Sequence, residues 1–587
     1  MTVCRSRAVL LAAVLSVAAT ARAQIAIDAP AAKDMQSVYV RDSGVAAERL
    51  SLAERMERLK EWDKAADVYQ EIIEKYPDRM IASQSDEANR TIRYTSVVDV
   101  AQQRLARWPE EGLRVYRDRF GPRAQDLLDQ GNAEDRATRQ RVFGQFFNTD
   151  AGLAAGLQLL TSGLERGEFS AAAWAGRRLL ELHPGLAIER PLVLFQTGIA
   201  EHLAGNSAAA AQRLDALKQQ FPAAIAKVRG EDAVLADFLA TELSRQPTMV
   251  RTFRSDSWPM PFGSPDASAV PEQVSAGGAR LFSVELPSHA RRGMIRRDQQ
   301  LLERARSSGI MTGILPAIDN GELFFQDNAR IYGISLSSGL PLTGWPQVRL
   351  GTGEALIPEA VPTPRGKQLG VTVTPTQVVA LLGHNDTTMQ MLQGNLAQPT
   401  LVSVDRATGR RQWSATTLRL TLPEAQANLK DSRFYGLPMV IGDSVYVLAR
   451  AMRSGQFEEC HLISLRASDG VFQWATYIAS TATGRPDEDF DGTNTQGAAA
   501  AQMSYADGRL YVLTNLGAIA CVDSGDGGMV YLSVYPRGND NIVPPANPRR
   551  IRPFPMPSGP VKPFTLNPPI IADGRLFVMP TDSPYLF

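Results

Sequence analysis

The chain has 587 residues, 44% of them hydrophobic and 21% charged, with 62 basic and 62 acidic side chains and a formal net charge of +0. That composition is that of a globular protein with room for several domains. It excludes a chain held to nucleic acid or to an anionic membrane by its overall charge.

Residues 1–23 read as a secretory leader. Arg5 and Arg7 form a basic start, Ala8–Ala19 is an apolar run too short for an ordinary membrane span, and Ala21-Arg22-Ala23 is an A-x-A cleavage site before Gln24. Cys4 precedes the apolar run, so it is not placed as a lipoprotein cysteine would be. The expected mature protein is exported to the periplasm or cell envelope and is soluble there, with no transmembrane segment after cleavage. Residues 24–44 are expected to be a linker.

Residues 45–245 carry helical periodicity. The stretch from Glu61 to Tyr76 has apolar residues at helical spacing and stops at Pro77. Within it Ala65, Tyr69, Ile72 and Pro77 resemble the second helix of a tetratricopeptide repeat. Ala210, Leu214, Leu217 and Pro222 repeat those offsets. Ala172, Gly176, Leu179 and Pro184 do so with Gly176 where a ring or leucine is usual. Pro184 and Pro222 lie 38 residues apart, near the 34-residue period of such repeats. Glu110–Gly131 reads as two helical segments broken at Gly121-Pro122. Stacked helices of this kind either bind a partner or simply cap the domain that follows.

Residues 246–278 are rich in Pro, Ser, Ala and Gly and are expected to be a second linker. Arg280–Leu286 reads as a strand, and Arg291–Ser308 as a basic helix with a solvated face. From residue 279 to 587 the pattern is that of strands. Turn dipeptides feed short alternating runs in NGELFF (Asn320–Phe325), GDSVYV (Gly442–Val447), DGRLYV (Asp507–Val512) and DGRLFV (Asp573–Val578). A second signature centres on Gly339, Gly409, Gly470 and Gly527, spaced 70, 61 and 57 residues apart. Six residues before each glycine stands a small residue: Gly333, Ser403, Ser464 or Cys521. Four residues after it comes Trp413, Trp474 or Tyr531, while Trp345 falls two places late. The ring is expected to fill the gap that the small residue leaves.

Ser403-x-Asp405-x-x-Thr408-Gly409-x-x-x-Trp413 resembles the A-x-D-x-x-T-G-x-x-x-W repeat of the pyrroloquinoline-quinone (PQQ)-like β-propellers. The Gly470–Trp474 copy has Arg466 in place of the aspartate, and the Gly339 copy has Ser335 there. The last copy keeps Asp523 and Gly527 but carries Tyr531 in place of the tryptophan. The resemblance implies an all-β propeller in which each tryptophan docks between neighbouring blades. Joined to tetratricopeptide-like helices, it resembles exported bacterial proteins of the planctomycete type. It is also similar in kind to the propeller subunit of the outer-membrane β-barrel assembly machine. The last strand signature, at Asp573–Val578, has no turn signature after it. Because a propeller closes to remove its edges, the sequence is expected to lack C-terminal blades.

Chemistry is sparse. A quinoprotein dehydrogenase would need PQQ over a tryptophan beside calcium, often with a vicinal disulfide. The sequence has no Cys-Cys pair and no C-x-x-C-H haem site, and Trp345, Trp413 and Trp474 belong to the packing repeat. Asp487, Asp489 and Asp491 with Gly492 open like a calcium loop, but Ala498 stands where a bidentate Glu is needed. His183, His202, His289, His384 and His461 show no metal-ligand spacing, and no G-x-S-x-G serine accompanies His384-Asn385-Asp386. Cys460 and Cys521 are expected to be buried thiols, although export permits a disulfide. The expectation is a non-catalytic envelope scaffold with protein partners, no cofactor and no catalytic residues. A PQQ- and calcium-dependent oxidoreductase is the alternative.

Overall fold

The computed structural model describes residues 38–86, 90–131, 135–245, 257–270, 282–283, 313–345, 368–383, 398–453, 457–482, 501–537, 567–583 and 585–587. Residues 38–587 form one compact unit. Its first part is helical and its second is built of antiparallel sheets. Among the described residues no helix is long and apolar enough to cross a membrane.

The helices run from Gly44 to Ser244. Ser43 starts the first, its side chain accepting from the Ala46 amide. In Trp62–Lys75 the residues Ala65, Tyr69 and Ile72 are fully buried against Leu50, Ala53 and Leu105. In Phe169–Leu182 the missing side chain at Gly176 is required by a neighbour. A Cβ there would stand 2.0 Å from Thr197 Oγ1 of helix Arg190–Leu203.

The expected break at Gly121-Pro122 does not occur: Glu110–Gln130 is one helix with Pro122 inside it. An interior proline costs roughly 3 kcal/mol of helix stability, but packing on both sides opposes that cost. Leu113 and Tyr116 are buried in one helical core and Ala124 in the next. Two hairpins also lie in the stretch read as wholly helical: Met80–Asp86 with Thr91–Ser96, and Ile225–Val228 with Glu231–Val234.

Five sheets follow one another along the second part. Sheet 1 is Ala317–Asp319, Glu322–Gln326 and Ile331–Ser335. Sheet 2 is Gln368–Val373, Gln377–Leu382, Thr400–Asp405 and Arg411–Ala415, with Gly313–Leu315 parallel to its first strand. Sheet 3 is Arg433–Ile441, Ser444–Arg453, Phe457–Arg466 and Phe472–Ala482. Sheet 4 is Gln502–Ala506, Arg509–Leu513, Ala518–Asp523 and Met529–Val534. Sheet 5 is Ile570–Ala572 with Arg575–Phe577. Sheets 2, 3 and 4 thus share a meander of four antiparallel strands.

The N-terminal part adds strands to two of these sheets. Val38–Tyr39, within the segment expected to be a linker, pairs with the last strand of sheet 3. Thr91–Ser96 pairs with the last strand of sheet 4, so that sheet has six strands. An edge strand exposes unpaired backbone groups, and here the chain covers two such edges with its own backbone.

Candidate functional site

The repeat residues are brought together, and what they build is a joint between sheets. Asp405 Oδ1 accepts from the Thr408 amide at 2.8 Å and its hydroxyl at 2.7 Å, closing the turn that Gly409 completes at φ +65°. Arg466, standing where the aspartate is expected, pairs with Asp469 at 3.0 and 2.8 Å. The partners have changed, but a side-chain pair still closes the turn. Across the last two strands of sheets 2, 3 and 4 the small residue faces the ring directly: Ser403 opposite Trp413, Ser464 opposite Trp474, Cys521 opposite Tyr531.

Each tryptophan then reaches the turn glycine of the next sheet. A Cβ on Gly409 would lie 2.8 Å from Trp345, one on Gly470 2.6 Å from Trp413, and one on Gly527 2.4 Å from Trp474. The glycine is therefore doubly required, by its positive φ and by the ring pressed against it. Trp345 Nε1 donates to Arg406 O at 2.7 Å, and Trp413 Nε1 to Ala467 O at 2.8 Å. Sheets 1 and 2 are also tied by Arg406, which pairs with buried Asp319 at 2.7 Å and with Glu322 at 2.6 Å. Tyr531 has a different neighbour. Arg93, on the added strand, stacks 3.9 Å from its ring centre, so this aromatic holds the N-terminal part.

Helix Phe169–Leu182 meets sheets 3 and 4 at their turns. Ser170 Oγ donates to Asp443 at 2.8 Å, and Arg177 reaches both oxygens of Asp523 at 3.0 Å. Turn glycines admit this contact and that of Ala204, at the end of helix Arg190–Leu203. A Cβ on Gly442 would meet Ala204 O at 2.8 Å, one on Gly508 the Arg177 guanidinium at 2.9 Å, and one on Gly525 Trp174 Cβ at 2.4 Å. Burial raises the Asp443 carboxyl above its ordinary value. Burial, and then the Asp523 charge, push Asp526 up to about 7. Burial disfavours the Arg177 charge, but Asp523 and Glu201 outweigh it and raise its pKa.

A third assembly lies inside the segment expected to be the second linker. Ser257–Val270 hydrogen-bonds the first strands of sheets 1, 2, 4 and 5 and packs against that of sheet 3. Trp258 exchanges both backbone hydrogen bonds with Ile318, at 2.7 and 2.8 Å. Pro259 O accepts from Val373, Pro265 O from Tyr505, and Asp266 O from Ile571, at 2.7, 2.8 and 3.0 Å. Met260 is 4% exposed and packs with Met439 and Met503. A narrow opening of about 20 Å³ lies beside these methionines. The sequence shows no periodicity here because the segment passes from sheet to sheet rather than lying in one sheet or helix.

The histidines and cysteines considered in the sequence have the following surroundings among the described residues. His183 Nδ1 accepts from the Gly185 amide at 3.1 Å, and burial lowers its pKa to about 4. His202 Nε2 lies 3.0 Å from Arg245 O, and His461 Nε2 3.1 Å from Glu459, which Arg453 also holds. These are structural partners. Cys460 and Cys521 are separate buried thiols, each pushed up to about 12 chiefly by burial. Among the described residues no three His, Cys, Asp or Glu side chains cluster as metal ligands. The calcium-loop candidates Asp487, Asp489 and Asp491, with His289 and His384, lie outside the described residues, as do nearly all of Arg280–Ser308.

The tetratricopeptide repeat family matches residues 49–79. No curated protein sequence matches the chain. Similar solved structures include the quinohemoprotein alcohol dehydrogenase from Comamonas testosteroni, at 13% identity and a TM-score of 0.25, over 47% of this chain and 40% of that one. They also include BamB from Moraxella catarrhalis, at 9% identity and a TM-score of 0.20, over 46% of this chain and 66% of that one. The chain thus spans less than two thirds of either.

Proposed function

We propose that this chain is a non-catalytic scaffold of the cell envelope: a helical-repeat layer fixed on propeller blades, working by binding other proteins. The observation that carries the reading is the course of Ser257–Val270, whose backbone bonds the first strands of sheets 1, 2, 4 and 5 while Met260 packs with Met439 of sheet 3. In a propeller the blades surround a central channel, where a ligand could gather groups from every blade. Here the chain's own backbone takes those positions. The opening of about 20 Å³ at Met260, Met439 and Met503 has room for a water molecule but is far below the roughly 300–1,000 Å³ of small-molecule sites. The tryptophans that could floor a quinone are packed on Gly409, Gly470 and Gly527 instead.

Helices and sheets, tied by Arg177–Asp523, Ser170–Asp443 and two added strands, would present a preformed broad surface. Isothermal titration with PQQ, with and without calcium, is expected to show no saturable binding. Cross-linking in intact cells followed by mass spectrometry is expected to give reproducible links between this chain and envelope proteins. Calcium-dependent micromolar binding of PQQ would overturn the scaffold in favour of an oxidoreductase. A cross-linked sample without interprotein links would remove the binding role.

A further inference from the structure

A cleft of about 370 Å³ opens in the helical part, between the end of Glu110–Gln130, the start of Arg136–Gln145 and the middle of Asp150–Arg166. Gln125, Asp129 and Gln158 stand exposed at its rim. Arg139 lies deeper and is only 7% exposed. Its guanidinium makes no hydrogen bond or ion pair with any described residue. Neighbouring arginines differ: Arg136 holds Glu168 at 2.6 Å and Arg123 holds Glu74 at 2.8 Å.

The two carboxylates of the cleft already carry hydrogen bonds, and bonds from Thr138, with a smaller effect of the Arg139 charge, hold Asp135 below its ordinary value. Asp135 accepts from the Thr138 amide at 3.0 Å and its hydroxyl at 2.6 Å, capping the helix. Asp129 Oδ1 accepts from Gln125 Nε2 at 2.7 Å.

A guanidinium with five donors that opens on a cleft and has no protein acceptor favours a ligand that supplies acceptors and negative charge. A carboxylate fits its planar fork. A bare anion, and a dianion more so, would meet Asp129 and Asp135 in the same cleft. A ligand with a cationic group beside its carboxylate meets both demands. The volume sits at the low end of the roughly 300–1,000 Å³ of small-molecule sites. We propose that this cleft binds a small zwitterion of the amino-acid or dipeptide class, its carboxylate on Arg139 and its ammonium toward Asp129.

The test is isothermal titration of the whole protein with glycylglycine, N-acetylglycine, glycinamide and inorganic phosphate. Glycylglycine is expected to bind best, N-acetylglycine more weakly, and glycinamide and phosphate not measurably. Arg139→Gln should weaken glycylglycine at least tenfold. Asp129→Asn should bring it down to the level of N-acetylglycine. No binding of glycylglycine, binding indifferent to Arg139→Gln, or tighter binding of phosphate would each overturn the proposal. A separate measurement guards against misfolding: unliganded Arg139→Gln should melt no lower than the parent. A lower melting temperature would mean that the fold itself already satisfies this charge, and the site would be withdrawn.

Discussion

Trp413→Ala tests the joint between sheets 2 and 3. The side chain is 8% exposed, lies on Gly470 and donates to Ala467 O. An aromatic of this kind buries roughly 150–250 Å², which at ~25 cal/mol per Å² is about 4–6 kcal/mol before relaxation. The hydrogen bond adds about 1 kcal/mol. Truncations of buried Phe and Trp typically cost ~3–5 kcal/mol, so the loss should fall in that range. Trp413→Phe keeps most of the burial and leaves Ala467 O unpartnered, for a loss of about 1–3 kcal/mol. The assay is denaturant unfolding followed by far-UV circular dichroism, which does not depend on the ring removed. Gly470→Ala gives the companion measurement, because its Cβ would stand 2.6 Å from the same ring at φ +73°. With the ring in place the methyl must displace it. Without the ring only the backbone strain remains, about 1–2 kcal/mol. The double variant should therefore lose less than the two single losses added together. An unchanged midpoint for Trp413→Ala, or strict additivity, would refute the joint.

Asp526 is raised from 3.8 to about 7, so between those pH values the native state keeps a proton that the unfolded chain has released. Its contribution to stability is thus lost as pH rises through that window. Asp526→Asn should raise the melting temperature over the parent more at pH 8 than at pH 4, and an equal difference at both would contradict the assignment. Cys460 and Cys521, buried and raised to about 12, should resist iodoacetamide in the native protein and react only after unfolding, as read by peptide mapping. Prompt labelling of either in native protein would place that thiol at the surface.

What the sequence showed follows the range of the interactions. Asp405, Thr408 and Gly409 close one turn within four residues, so their chemistry is written locally. Ser403 and Trp413 are separated by one hairpin, and their complementary sizes are legible at a fixed offset. The partner of Tyr531 is not legible, because Arg93 comes from the helical part more than four hundred residues earlier. Met80–Asp86 shows little alternation: six of its seven residues are partly or fully exposed, and it rests on Thr91–Ser96, itself docked on sheet 4. Ser257–Val270 was read as a linker because proline and glycine punctuate it. Those residues suit a segment that changes partner every few positions.

One turn type, met in different surroundings, explains how the two parts hold together. Asn320-Gly321, Asp507-Gly508 and Asp573-Gly574 all place both residues at positive φ, as tight hairpin turns require. Around Gly321 and Gly574 nothing approaches where a Cβ would stand, so those glycines answer to backbone geometry alone. Gly508 carries Arg177 against it, and Gly442, at the corresponding turn of sheet 3, carries Ala204 O. The helical layer therefore rests on sheets 3 and 4, the two sheets whose last strands also receive N-terminal strands. Contacts at turns and at edges on the same two sheets fix the layer in both directions. If the chain is the scaffold proposed above, a binding surface on the helices would move with the sheets rather than swing on a tether, and the cost of ordering a flexible linker on each binding event would be avoided.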